Sequence, residues 1–142
     1  MAHIDYFFST LSPYAYLAGT RLEELTLRHR AKITYKPFDI MSLFPRTGGA
    51  PVPQRHASRV DYGAQELPRQ ARKVGLTLNM KPKYWPVNAA PSSYAIIAAQ
   101  NAGGGDVGAL VHGLLRASWG EERDISDEGV IRACLTEESF CA

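Results

Sequence analysis

The most restrictive feature of this chain is its opening, in which the apolar run Ile4-Asp5-Tyr6-Phe7-Phe8 is followed almost at once by Ser12-Pro13. A short apolar run of this kind, ended by Ser9-Thr10-Leu11, reads as a strand buried on both faces. Serine suits an N-cap, and proline suits the first helical position, where its missing N–H would have had no partner. Leu17, Ala18, Leu22 and Leu25 recur at helical spacing and predict one helix with a face that covers a sheet. A second strand is expected over Lys32 to Lys36, with Ile33 and Tyr35 on one face and Pro37 near its end. The crossover is long enough for the two strands to run parallel. Two strands rarely stand alone, so the pattern asks for more.

Beyond Asp39 the periodicity breaks. Pro45, Gly48, Gly49, Pro51 and Pro53 predict an irregular connection to residue 53. A helix is expected over residues 58–74, weakened by Gly63 and Pro68 and ended by Gly75, and an extended loop over residues 76–87. Further helices are expected over residues 92–100, from a cap at Asp106 with Val107, Leu110, Val111, Leu114 and Leu115 as buried stripe, and from a cap at Ser126. A chain of 142 residues with 45% hydrophobic and 21% charged residues has the balance of one globular domain.

Sixteen basic residues are scattered among fourteen acidic ones for a net charge of +2, and no basic run suggests a nucleic-acid footprint. Arg55, Arg59, Arg69, Arg72 and Lys73 give one region a positive potential suited to a small anion. No apolar stretch is long enough for a membrane span and no charged leader precedes an apolar block, so the expected setting is the cytoplasm, without membrane or nucleic-acid partners. Cys134 and Cys141 match neither a redox pair nor a zinc knuckle, and the dispersed histidines form no ligand spacing, so no metal is expected.

Ser12 is the leading candidate for chemistry. At a helix start, backbone amides and the helix field favour an anion, and a hydroxyl adds one donor. If that anion is a bound thiolate, its thiol pKa falls and a nucleophile exists at neutral pH. An ordinary capping serine is the plainer account. Tyr14, in the first turn, is a better pocket candidate than Tyr16. Arg55 and Arg59 are candidates for a carboxylate, or are solvated helix surface. Trp85 and Asn88 are candidates for an aromatic ring and a substrate oxygen, or are a core anchor and a helix cap. His112 reads as a partly buried or surface helix residue.

The run Tyr6-Phe7-Phe8-Ser9-Thr10-Leu11-Ser12-Pro13-Tyr14-Ala15-Tyr16-Leu17-Ala18 resembles the opening of the 2-hydroxychromene-2-carboxylate isomerases and kappa-class glutathione transferases. The likeness continues through Tyr35-Lys36-Pro37-Phe38, Phe44-Pro45-Arg46-Thr47-Gly48, Tyr62 to Ala71, Tyr84-Trp85-Pro86-Val87-Asn88 and Ala117-Ser118-Trp119-Gly120. The resemblance implies an α/β thioredoxin-like β-α-β unit with a helical insertion, of the disulfide-oxidoreductase-like branch, lacking the closing C-terminal strands. Residues 1–38 would be the first thioredoxin-like segment, 39–120 the helical insertion and 121–142 a returning helical segment. Where that branch carries Cys-x-x-Cys, this chain reads Ser12-Pro13-Tyr14-Ala15, which rules out dithiol exchange at that place.

The resemblance also implies glutathione as cofactor, its sulfur at Ser12, with Pro13, Tyr14 and Arg59 in its binding and Arg55, Trp85 and Asn88 toward a small aromatic carboxylate substrate. The implied activity is isomerisation of 2-hydroxychromene-2-carboxylate or a related intermediate of aromatic catabolism. The alternatives are a kappa-like transferase, or a noncatalytic thioredoxin-like binding or dimerisation module. Gly49 stands where the family often has asparagine. The family continues with a cis-proline loop, two strands and a helix; without them an unsatisfied sheet edge is expected, which a homodimer or strand exchange would cover.

Overall fold

The computed structural model describes residues 1–140. The element order is β1 (His3–Phe8), α1 (Pro13–Ala18), α2 (Arg21–His29), β2 (Lys32–Pro37), α3 (Ile40–Thr47), a 3-10 turn (Val52–Gln54), α4 (Ala57–Val74), α5 (Ala90–Ala102), α6 (Val107–Trp119) and α7 (Glu128–Glu137). Strands β1 and β2 pair in parallel, with Tyr6 opposite Tyr35. The expected β-α-β opening, the later helices and the loop before α5 are present. Cys141 lies outside the described residues.

The sheet is covered on one face only, which corrects the expectation of a doubly buried β1. Tyr6 and Phe8 join the core with Ile33 and Tyr35, whereas Phe7, on the opposite face, is 62% exposed. A continuous apolar run hides this, because Phe7 breaks the alternation of a half-buried strand.

The single helix expected after Ser12 is two. The chain turns at Gly19, whose φ of +57° favours a residue without a side chain, and α2 starts afresh at Arg21. Leu25 therefore leaves the inward stripe and is exposed, while Thr26 is buried with its hydroxyl donating to the Glu23 carbonyl at 2.8 Å.

The connection after Asp39 also differs from expectation, because it contains α3. Asp39 caps it by accepting from the Met41 and Ser42 amides at 3.0 and 3.3 Å. The Ser42 hydroxyl and these amides hold the Asp39 carboxyl below its usual range. The proline and glycine density around this cap concealed a helix of only two turns. The cap of α7 is likewise Asp127, accepting from Val130 at 3.0 Å, rather than Ser126, whose hydroxyl donates to Asp124 at 2.6 Å.

Helix α6 is the centre of the core and packs against α1, α5 and α7. Leu110, Val111, Leu114 and Leu115 are all buried on it, as the stripe predicted. Gly108, on the same helix, lies so close to Tyr35 that an added methyl carbon would stand 2.6 Å from the phenol oxygen.

Beside Gly108, three polar side chains join α2, β2 and α6. The Tyr35 phenol donates to Glu23 Oε1 at 2.7 Å, and His112 Nε2 lies 3.1 Å from the same oxygen. Burial and then the Glu23 carboxylate push the Tyr35 phenol well above its ordinary range, so it remains a donor. For Glu23, burial favours the neutral acid, but the contacts from His112 and Tyr35 outweigh it and leave the pKa below the ordinary 4.5. A depressed carboxylate stabilises the fold above its unfolded pKa, and the contribution is lost as pH falls through the folded value. The stability margin of the parent over Glu23→Gln is therefore expected to be full at neutral pH and to shrink on acidification below 4.5. Urea unfolding of both proteins across that interval checks this, and a margin independent of pH would refute it.

Candidate functional site

The site is built on the turn from β1 into α1. Ser9 Oγ accepts from the Leu11 amide at 3.2 Å, and the Ser12 amide donates to the Ser9 carbonyl at 3.1 Å, which shapes the turn locally. Ser12 then caps α1, its Oγ accepting from the Ala15 amide at 3.2 Å. This capping bond uses an oxygen lone pair and leaves the hydroxyl proton free to donate.

Donors at this helix start are fewer than the sequence suggested. Pro13 has no N–H, and the Ala15 N–H is taken by Ser12. Among the described residues, the Tyr14 amide has no acceptor, so the Ser12 hydroxyl and the Tyr14 N–H are the two donors the turn offers. Tyr14 is 52% exposed and accessible beside them. Tyr16 faces inward, its hydroxyl donating to the Thr77 carbonyl at 2.7 Å.

The loop before α5 is brought onto this turn. The Trp85 indole N–H donates to the Leu11 carbonyl at 2.9 Å, and its ring packs against Trp119 with centroids 5.3 Å apart. The Ser92 hydroxyl lies 2.9 Å from Thr10 Oγ1, both residues being buried. Thus two tertiary hydrogen bonds, 74 and 82 residues apart in sequence, fasten α5 and its loop to the residues just before Ser12. The Trp85–Pro86 peptide is cis. Asn88 is exposed, and its Oδ1 accepts from the Ala90 amide at the start of α5.

The two arginines are placed differently. Arg55 is engaged locally, its Nε donating to the Ala50 carbonyl at 2.9 Å and its guanidinium standing 5.9 Å from the Phe44 ring centre. Gly49 belongs to the same packing, because a methyl carbon there would meet Phe44 at 2.5 Å. Arg59 is exposed in the first turn of α4 with no described contact to Ser12. The structure thus gathers Ser12, Pro13, Tyr14 and Trp85, sets Asn88 at the edge of the Trp85 loop, and joins neither arginine to them by a described hydrogen bond.

Two clefts lie elsewhere. One of about 350 Å³ is lined by residues including Pro68, Arg72 and Leu76; one of about 460 Å³ lies between Tyr16, Gly19, His112 and Arg116. Cys134 is buried in α7, and burial pushes its thiol above the ordinary value, which disfavours a reactive thiolate. Among the described residues there is no group of three or more His, Cys, Asp or Glu placed to hold a metal ion, and no helix is long and apolar enough to cross a membrane.

A family model described as a DSBA-like thioredoxin domain matches residues 3–140. A 2-hydroxychromene-2-carboxylate isomerase of Sphingobium xenophagum is 27% identical over 135 residues, covering 94% of this chain and 67% of that protein. A solved structure of a 2-hydroxychromene-2-carboxylate isomerase superposes with a TM-score of 0.72 at 24% identity, covering 95% of this chain and 64% of the other. The chain therefore spans about two thirds of the length of the relatives it matches, and the structural likeness shows a shared fold.

Proposed function

For a chain that belongs to the DSBA-like thioredoxin domain family, we propose the activity of a glutathione-dependent isomerase acting on 2-hydroxychromene-2-carboxylate or a related aromatic-catabolism intermediate. The observation that carries this reading is the pair of unused donors, the Ser12 hydroxyl and the Tyr14 amide, in a turn that holds no cysteine. Two unused donors at one helix start fit a thiolate, and a serine hydroxyl stabilises sulfur without forming a disulfide with it.

Glutathione would supply a thiolate that adds reversibly to the substrate, allows a bond to rotate and is then eliminated. Ser12 and Tyr14 hold that sulfur in its charged form, and Pro13 keeps the first turn open by offering no competing amide. Trp85 fastens the loop that carries Asn88 to the residue before Ser12 through its bond to Leu11. The Asn88 side-chain N–H groups are suited to donating to a substrate oxygen, and Arg55 and Arg59 to meeting carboxylates of substrate and glutathione.

Calorimetric titration with glutathione and with S-methylglutathione tests the reading. Saturable binding of glutathione is expected, weaker by about tenfold in Ser12→Ala, in line with a hydrogen bond to a charged group. S-methylglutathione, which cannot ionise at sulfur, should bind the parent and Ser12→Ala alike. Absence of glutathione binding by the folded parent would overturn the proposal. With substrate present, recovery of free glutathione marks an isomerase, whereas its stoichiometric loss into a conjugate marks a transferase.

A further inference from the structure

The larger cleft, about 460 Å³, opens where the chain breaks between α1 and α2, and α6 supplies its other wall. Neither Ser12 nor Tyr14 lines it, although α1 runs from their turn to this cleft. Its volume falls in the range of small-molecule sites. Leu17, Val74 and Leu76 supply the apolar part of its lining. Tyr16 adds an aromatic ring, its hydroxyl being spent on the Thr77 carbonyl at 2.7 Å.

The polar part of the lining divides into acceptors and cationic donors. Helix α1 ends here, and among the described residues the Leu17 and Ala18 carbonyls accept no hydrogen bond, as is usual for the last carbonyls of a helix. Glu24 accepts from the Thr20 hydroxyl at 2.7 Å through Oε1, which leaves Oε2 without a described partner. The His112 ring is oriented by the core, because its buried Nε2 lies 3.1 Å from Glu23 Oε1, the same oxygen that receives the Tyr35 phenol. A carboxylate against Nε2 holds the proton on that nitrogen, so the neutral ring keeps Nδ1 as an acceptor. The cationic donors are Arg21, the first residue of α2, and Arg116, one turn beyond His112 on α6. Arg116 gives its Nε to Glu121 at 2.8 Å and has Nη2 4.0 Å from Glu137, so Nη1 is unspent.

We propose that this cleft binds a free α-amino acid with an aliphatic side chain, taken up as the zwitterion. An ammonium group has three donors and no acceptor, and Glu24, His112 Nδ1 and the α1 carbonyls answer it. A carboxylate is matched by the planar guanidinium donors of Arg21 and Arg116. The aliphatic side chain is received by Leu17, Val74 and Leu76. A simple acid of the same shape leaves the acceptors unanswered and meets the Glu24 charge, and a simple amine leaves the guanidinium groups unanswered. The charge pattern therefore discriminates against both. This inference is independent of the glutathione reading, since the cleft lies at the opposite end of α1 from Ser12.

Residue-resolved amide NMR of the 142-residue chain, titrated with L-leucine into the millimolar range, tests it. Isocaproate, which lacks the ammonium group, and isoamylamine, which lacks the carboxylate, are titrated beside it. Saturable shifts with leucine are expected at Ala18, Gly19 and His112, with Tyr14 unmoved. Each analogue should bind about tenfold more weakly, the usual loss on removing a charged hydrogen-bonding group. Glu24→Gln, on the exposed side of α2, keeps an acceptor for Thr20 but removes the charge, and should weaken leucine about tenfold; Ser12→Ala should leave leucine binding unchanged. A folded parent whose amides do not shift overturns the proposal. So do shifts centred on Ser12 and Tyr14, equal affinity for leucine and isocaproate, or unaltered leucine binding by a Glu24→Gln variant whose circular dichroism matches the parent.

Discussion

On the proposed function, replacing Ser12 by alanine is expected to lower glutathione-dependent isomerase turnover about 100-fold, the usual cost of removing one preorganised donor from a developing or resident negative charge. The effect must be separated from the other duty of this side chain, since Ser12 Oγ also accepts from the Ala15 amide. Loss of that cap alone costs about 1 kcal/mol of stability. Threonine keeps both the acceptor and the hydroxyl proton, and should retain most of the turnover. Aspartate keeps the acceptor for the cap but turns a carboxylate toward the sulfur, so Ser12→Asp should fold with an intact α1 and fail in turnover. Rates measured beside unfolding curves decide between the two duties. Equal turnover in the alanine and threonine variants would show that the hydroxyl does not serve the chemistry.

Leu114→Ala is expected to destabilise the fold by about 3 kcal/mol, within the range for large-to-small changes at fully buried sites. Leu114 is completely buried in α6, which contacts three other helices, so the vacated volume is enclosed from several directions. Leu27→Ala in α2 supplies the contrast. Leu27 is 81% exposed, and its truncation should change stability by less than about 0.5 kcal/mol. Urea unfolding of the two variants and the parent measures the difference directly; comparable losses at the two positions would mean that α6 is not the packed centre.

Much of the fold was legible because it is local. Ser12-Pro13 announces a helix start through the missing proline donor and the serine acceptor, and Gly75, at φ +71°, ends α4 where glycine has no steric penalty. The stripe on α6 was readable for the same reason, since its period is set by helix geometry alone. Where local signals competed, the reading failed. Asp39 is a strong cap, yet Pro45, Gly48 and Gly49 around it carry the signature of a loop, and the capped helix prevailed. Gly19 lies in an otherwise regular leucine pattern, and periodicity does not reveal that the chain adopts a positive φ there.

The sequence by itself determined the strand–helix–strand opening, the order of the later helices and the absence of a dithiol at the turn, because each follows from residue type and spacing over a few positions. Only the tertiary structure decided which candidate groups are brought to the turn at Ser12 and which are engaged elsewhere. Trp85 and Arg55 look alike as candidates in one dimension, but one fastens its loop to Leu11 and the other holds its own connection through Ala50. The same is true of the sheet. Gln100 is an ordinary helix residue until folding sets it against Tyr35, because backbone polarity must be satisfied by partners that chain topology, rather than local pattern, brings near.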